Sequence, residues 1–144
     1  GYARASDCAQ QGNWLNRAVA GADLITVAFG TNDIISGPYG GTGHATPEEI
    51  EADVRKITKT CTDAGIRTIL WNSPPFDMTP ELDGIRTAYN ETVEGIAKDN
   101  GATYFDVASL LANPSDASKT VYGQHPNDEG GTVITDALVK LIQE

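Results

Sequence analysis

A chain of 144 residues with 40% apolar side chains can fill one hydrophobic core but not two, which excludes a multidomain protein. Ten Lys and Arg against 20 Asp and Glu leave a net charge of −10 at pH 7, a field that repels phosphate backbones and anionic headgroups and so argues against a nucleic-acid partner. The longest apolar runs fall far short of a bilayer crossing, and Gly1-Tyr2-Ala3-Arg4 has none of the apolar core of a signal peptide.

A first helix is predicted over Cys8 to Ala20, with Trp14 packing inward and Ser6 ahead of it as a cap. Leu24-Ile25-Thr26-Val27-Ala28-Phe29 is apolar on both faces, the pattern of a buried parallel strand. A long irregular, glycine-rich stretch follows from Gly30 to Ala45. Thr46-Pro47-Glu48-Glu49 is a capping box with proline at the first helical position, and Ile50, Val54, Ile57 and Cys61 recur at helical spacing until Gly65. Ile66 to Trp71 reads as a second strand, after which Pro74-Pro75 redirects the chain. Thr79-Pro80-Glu81 starts a helix with Leu82, Ile85, Tyr89, Val93 and Ile96 on one stripe, stopped at Asn100-Gly101. Thr103 to Val107 is the third strand, and the last helix runs from about Asp128 to the C-terminus.

Alternating helices and apolar strands specify an α/β domain with a parallel sheet and right-handed crossovers. Ligands of such sheets bind beyond the carboxyl ends of the strands, so the Gly30 to Ala45 stretch and the segments after Trp71 and Val107 frame any site. Trp71 either packs in the core or lines an acyl or sugar pocket there. Cys8 and Cys61 are either two separate buried thiols or one disulfide, which leaves the cellular compartment open.

Two constellations could carry chemistry. In Phe29-Gly30-Thr31-Asn32-Asp33 the glycine allows a sharp turn and Asn32 can aim its amide over the strand tips at a developing oxyanion; the same residues also suit a plain turn held by local hydrogen bonds. In His125-Pro126-Asn127-Asp128-Glu129-Gly130, Asn127 or Asp128 can cap the last helix, leaving His125 on a loop as a proton acceptor or as a solvated bystander. His44, within the glycine-rich stretch, has less to support it.

Together these strings resemble two sequence blocks of the SGNH, or GDSL-type, esterases and acylhydrolases. Val27 to Asp33 is similar to the family's Gly-x-Asn-Asp block, and His125-Pro126-Asn127 with Gly130 to its C-terminal histidine block. The resemblance extends over the whole chain, as one domain from Gly1 to Glu144. It implies a three-layer α/β/α fold (flavodoxin-like) and cleavage of esters, including acetyl groups on sugars and lipid esters, without metal, nucleotide or other cofactor. It also implies that Asn32 donates to the oxyanion and that His125 takes the proton of a serine nucleophile, with Gly1 falling where a second oxyanion donor, a backbone N–H, belongs.

The family's Gly-Asp-Ser block is absent from this sequence, so a chain truncated at its N-terminus, without the first strands, is expected. Tyr122 stands where the acidic triad member is usual, leaving a backbone carbonyl, Asp116 or Asp128 to orient His125. Losing the first strand would expose residues 24–29 as a sheet edge, to which a second polypeptide or another copy could pair. The partner expected otherwise is a small-molecule or carbohydrate ester. A non-catalytic carbohydrate-binding or structural module of the same fold, for instance in a surface or phage assembly, is the alternative.

Overall fold

Strand β1 (Leu24–Val27), β2 (Arg67–Trp71) and β3 (Thr103–Phe105) form a parallel sheet of order β1-β2-β3, with Leu24 in register with Arg67 and Ile69 with Thr103. These come from a computed structural model that describes residues 3–10, 12–36, 43–111, 121–122 and 125–144. Around the sheet lie α1 (Ala5–Gln10), α2 (Gly12–Val19), α3 (Thr31–Ser36), α4 (Pro47–Asp63), α5 (Pro80–Asn100), α6 (Val107–Leu111) and α7 (Asp128–Gln143). A second, two-stranded antiparallel sheet joins β4 (Val121–Tyr122) to β5 (His125–Pro126).

Alternation along the strands divides the core between the two sheet faces, because successive side chains point in opposite directions. Ile25, Val27, Leu70 and Tyr104 pack with α1, α2, α4 and α5, around Ile50, Val54, Ile57, Tyr89, Val93 and Ile96. Leu24, Ile69, Trp71 and Phe105 pack on the other face with α6 and α7, through Leu111, Ile134, Leu138 and Leu141. This is a three-layer α/β/α arrangement. Beyond Leu24, β1 has little cover on the α7 side, and Thr26 and Ala28 are exposed.

The helix signals act where the sequence places them. Thr46 and Glu49 complete the capping box of α4, with bonds of 3.2 and 2.8 Å, and Gly101, at φ 69°, ends α5 in the left-handed conformation. The Arg67 guanidinium donates to the carbonyls of Leu141 and Ile142 at 2.8 and 2.7 Å, satisfying the last turn of α7 and tying it to the start of β2.

Four local expectations are corrected. The first helical segment starts at Ala5, not at Cys8, because a distant carboxylate caps it; its described parts are α1 (Ala5–Gln10) and α2 (Gly12–Val19). Ser6 is buried inside α1 and is not its cap. Trp14 is 44% exposed, on the outer face of α2. The third strand ends at Phe105, with Val107 opening α6. Cys8 and Cys61 are separate, buried free thiols, and burial pushes the Cys8 thiol up to about 11.

Tyr89 is wholly buried in the α5 core, and its hydroxyl finds no partner among the described residues. An unpaired buried hydroxyl carries its full desolvation cost. Tyr89→Phe keeps the ring and removes that group, so we expect thermal or urea unfolding to show a gain of about 1 kcal/mol.

Candidate active site

The site begins where β1 ends. Gly30 sits at φ +120°, and a Cβ there would lie 2.9 Å from Cε1 of Tyr89, so a side chain is disfavoured by backbone and by space at once. Gly30→Ala is expected to cost about 2 kcal/mol in a denaturant melt, from strain at that φ and displacement of the Tyr89 ring. The residues after it do not form a simple turn: Ile34 N donates to the Gly30 carbonyl at 2.9 Å and opens α3.

Two successive residues of α3 then face opposite ways. Asp33 turns inward, where its carboxylate accepts from the amides of Ala5 at 2.9 Å and Ser6 at 3.3 Å. These are orphan donors of the first turn of α1, so Asp33 caps that helix from 27 and 28 positions away. Burial pushes its carboxyl above the ordinary carboxylate range, opposed by the same two amides and by Arg4. Asn32 turns outward. Its Nδ2 donates to the Ala3 carbonyl at 2.8 Å, and its side chain borders a cavity of about 230 Å³ beyond the carboxyl ends of β1 and β2.

The loop after β2, expected to frame a site, supplies the opposite wall through Asn72, Pro74 and Phe76. Asn72 donates to the Tyr104 hydroxyl at 3.0 Å and to Asp106 Oδ1 at 2.6 Å, while its Oδ1 accepts from Ala108 N at 2.9 Å. One buried amide thus locks the ends of β2 and β3 to the start of α6. Ser73 is clamped to α5 by Asn90, which accepts from Ser73 N and donates to its carbonyl, both at 2.8 Å. The Ser73 hydroxyl pairs with that of Thr31 at 3.1 Å, joining the two loops. The available signal was a polar Asn-Ser pair at the tip of an otherwise apolar strand.

His125 stands exposed on β5, opposite Tyr122 of β4, and Asn127 caps α7 by accepting from Gly130 N at 2.9 Å. Pro126, the next residue, lines the same cavity as Asn32. The cavity walls therefore bring together Asn32 and Pro126 and do not include His125. Asp128 is exposed in the first turn of α7. Gly1 and Asp116 lie outside the described residues, as does the Tyr122 side chain. His44 packs its Nδ1 against the Ile34 carbonyl at 2.7 Å, a structural tie at the end of α3.

Among the described residues, no three His, Cys, Asp or Glu side chains are grouped to hold a metal ion, and no helix is long and apolar enough to cross a membrane. The fold has close relatives in shape. A GDSL-like lipase from Bacteroides thetaiotaomicron superposes with a TM-score of 0.77 at 16% identity, covering 99% of this chain and 72% of the lipase. An acetylxylan esterase from Geobacillus stearothermophilus gives 0.74 at 18% identity, over 97% of this chain and 68% of the esterase. At such identities the likeness is one of fold. In sequence, an acireductone dioxygenase of Hahella chejuensis is 33% identical over 72 residues, which is 50% of this chain and 39% of that protein's length. That partial match carries no activity across. The sequence model of the GDSL-like lipase/acylhydrolase family, in contrast, matches residues 2–133, from the start of the capped α1 region into α7. With the three-layer fold and a cavity at the strand tips beside Gly30-Thr31-Asn32-Asp33, this chain belongs to the GDSL-like lipase/acylhydrolase family, a family of ester hydrolases.

Proposed function

We propose that this domain is the oxyanion- and histidine-bearing part of a serine ester hydrolase. The observation that carries the proposal is that Asn32 and Pro126, the residue after His125, border one cavity at the carboxyl ends of the strands. A serine Oγ attacks the ester carbonyl as His125 takes its proton; the carbonyl oxygen becomes an oxyanion held by the Asn32 amide, which the Ala3 carbonyl braces. Collapse of the intermediate breaks the C–O bond, and His125 returns the proton to the leaving alcohol. Water then releases the acyl group by the same steps in reverse roles. The names of two structural neighbours, an acetylxylan esterase and a GDSL-like lipase, point to acetylated carbohydrates or lipid esters as substrates.

The described serines do not provide the nucleophile. Ser6 and Ser73 are buried, while Ser36 and Ser109 bond back to the carbonyls of Asn32 and Asp106. Among the described residues β1 pairs only with β2, leaving a row of unused backbone groups beside the cavity. The nucleophile, in this proposal, arrives on a strand docked along that edge, from the same protein or from a second polypeptide, completing one SGNH-like domain. A fluorophosphonate probe applied to the full-length protein, with p-nitrophenyl acetate turnover measured in parallel, tests this. The expected result is a single labelled serine on a segment pairing with β1, and loss of turnover on labelling. Absence of both label and turnover supports the second reading, a non-catalytic binding or structural module, which the burial of Ser6 and Ser73 favours.

A further inference from the structure

Asn32 stands on weak local structure. It belongs to α3, a helix of six residues, far below the length at which a helix holds its own geometry in water. One external anchor is the Ala3 carbonyl, which accepts from Asn32 Nδ2 at 2.8 Å. Another is built into α5, the 21-residue helix packed against α3. Arg86, Tyr89 and Asn90 share one face of α5, at positions i, i+3 and i+4, and all three meet the loops at the strand tips. Tyr89 Cε1 fills the space that a side chain at Gly30 would need. Asn90 holds both backbone groups of Ser73, accepting from its N and donating to its carbonyl at 2.8 Å each. Arg86, braced by Asp83 at 2.8 Å, donates to the same carbonyl at 3.3 Å.

Ser73 is 1% exposed, so its backbone groups have no bulk water as an alternative and its hydroxyl is held in one direction. That hydroxyl meets the Thr31 hydroxyl at 3.1 Å, and Thr31 opens α3 directly before Asn32. A continuous path therefore runs from a long helix, through Ser73 and Thr31, to the backbone that carries the Asn32 amide. Resting on the ester-hydrolase reading above, we infer that Asn90 and Ser73 are positioning residues for the oxyanion donor: they fix the first turn of α3 so that the Asn32 amide is ordered before substrate arrives. Neither touches the reacting atoms. A donor acts on a developing oxyanion without reorganisation only if it is already aimed, and a misplacement of about 1 Å can cost roughly 10²-fold in rate. Loss of one hydroxyl pair beside a half-buried threonine is, by contrast, a small change in stability.

Ser73→Ala in the full-length protein removes the hydroxyl and keeps the backbone clamp. Its kcat for p-nitrophenyl acetate should fall about tenfold, with KM within about twofold. Thr31→Val should do the same, Thr31→Ser should recover most of that loss, and Asn90→Ala should cost more. The deciding measurement is a cycle with Asn32→Ala. Once the amide is gone there is nothing left to aim, so Ser73→Ala should have no further effect on kcat in that background. A merely structural role lowers kcat by the same factor in both. The side-chain amide of Asn32, followed by NMR, reads its ordering without turnover: its heteronuclear NOE should drop in Ser73→Ala and Thr31→Val and return in Thr31→Ser. Equal kcat factors in the two backgrounds, or an unchanged Asn32 amide signal in the folded variants, would each overturn the inference. Melting temperatures identify any variant that fails to fold, and Ser73→Ala with Thr31→Val decide if Asn90→Ala is lost. An unsubstituted full-length protein without ester turnover sinks the hydrolase reading alone, and the Asn32 amide signal then decides the positioning by itself.

Discussion

If the proposed mechanism holds, His125→Ala in the full-length protein is expected to lower p-nitrophenyl acetate turnover by about 10⁴-fold, the scale on which loss of a triad member acts. Asn32→Ala should cost less, about 10²- to 10³-fold, as loss of one oxyanion donor does. The difference in scale is diagnostic. In the proposed mechanism His125 moves a proton in every step, while Asn32 stabilises charge that other donors also share. The side effects differ as well. His125 is exposed, so its removal should leave the melting temperature where it was. Asn32 also bonds to the Ala3 carbonyl, so its variant should loosen the segment before α1 slightly. Reading kcat and KM separately sharpens the test, because an oxyanion donor contributes in the transition state and should leave KM nearly unchanged. Equal small losses in both variants, or an effect confined to KM, would remove the assigned roles.

Asp33→Ala is the largest expected stability change. It strips the acceptor from two buried amides, those of Ala5 and Ser6, each worth about 1–3 kcal/mol when left unpaired, for a total of about 3 kcal/mol. In a domain of this size that lowers the melting temperature by roughly 10 °C. The loss concentrates on α1, whose Ala5, Cys8 and Ala9 are buried in the larger core cluster, so hydrogen exchange should rise there first. Asp33→Asn, which keeps one carbonyl oxygen, should lose less. Burial also fixes the sign of a pH dependence. The unfolded chain gives up the Asp33 proton near its ordinary value of 3.8, while the folded protein holds it to higher pH. The folded state therefore binds more protons in that window. Stability from this group falls as pH rises from about 3.8 to the folded value and stays level above it. Asp33→Asn should flatten that part of the stability profile, and an unchanged slope would mean that the carboxylate ionises as it does in water.

What could be read from the letters alone was governed by short-range rules. The capping box at Thr46 and Glu49, the proline start at Pro80 and the glycine stop at Gly101 are each decided within a few residues and form as expected, and the three apolar strands pair in parallel, two of them shorter than their apolar runs. Gly30-Thr31-Asn32-Asp33 was legible as a place where the chain must turn. Its division of labour was not, since nothing local says that Asp33 reaches back to α1 while Asn32 turns outward. The same limit explains the misplaced start of the first helix and the exposure of Trp14. A helix whose cap comes from 28 positions away carries no cap in its own sequence, and a tryptophan on a short helix packs inward only if a neighbour is there to receive it.

By itself the sequence determined the order of helices and strands, the layered class, the family resemblance and the two strings worth watching, because periodicity, caps and turn residues act over a few bonds. Only the tertiary structure decided which residues share the cavity and that Asn72 and Asn90 hold its far wall. Those facts depend on how three parallel strands stack in register and bring residues a hundred positions apart to one end of the sheet, a packing outcome that no local rule encodes.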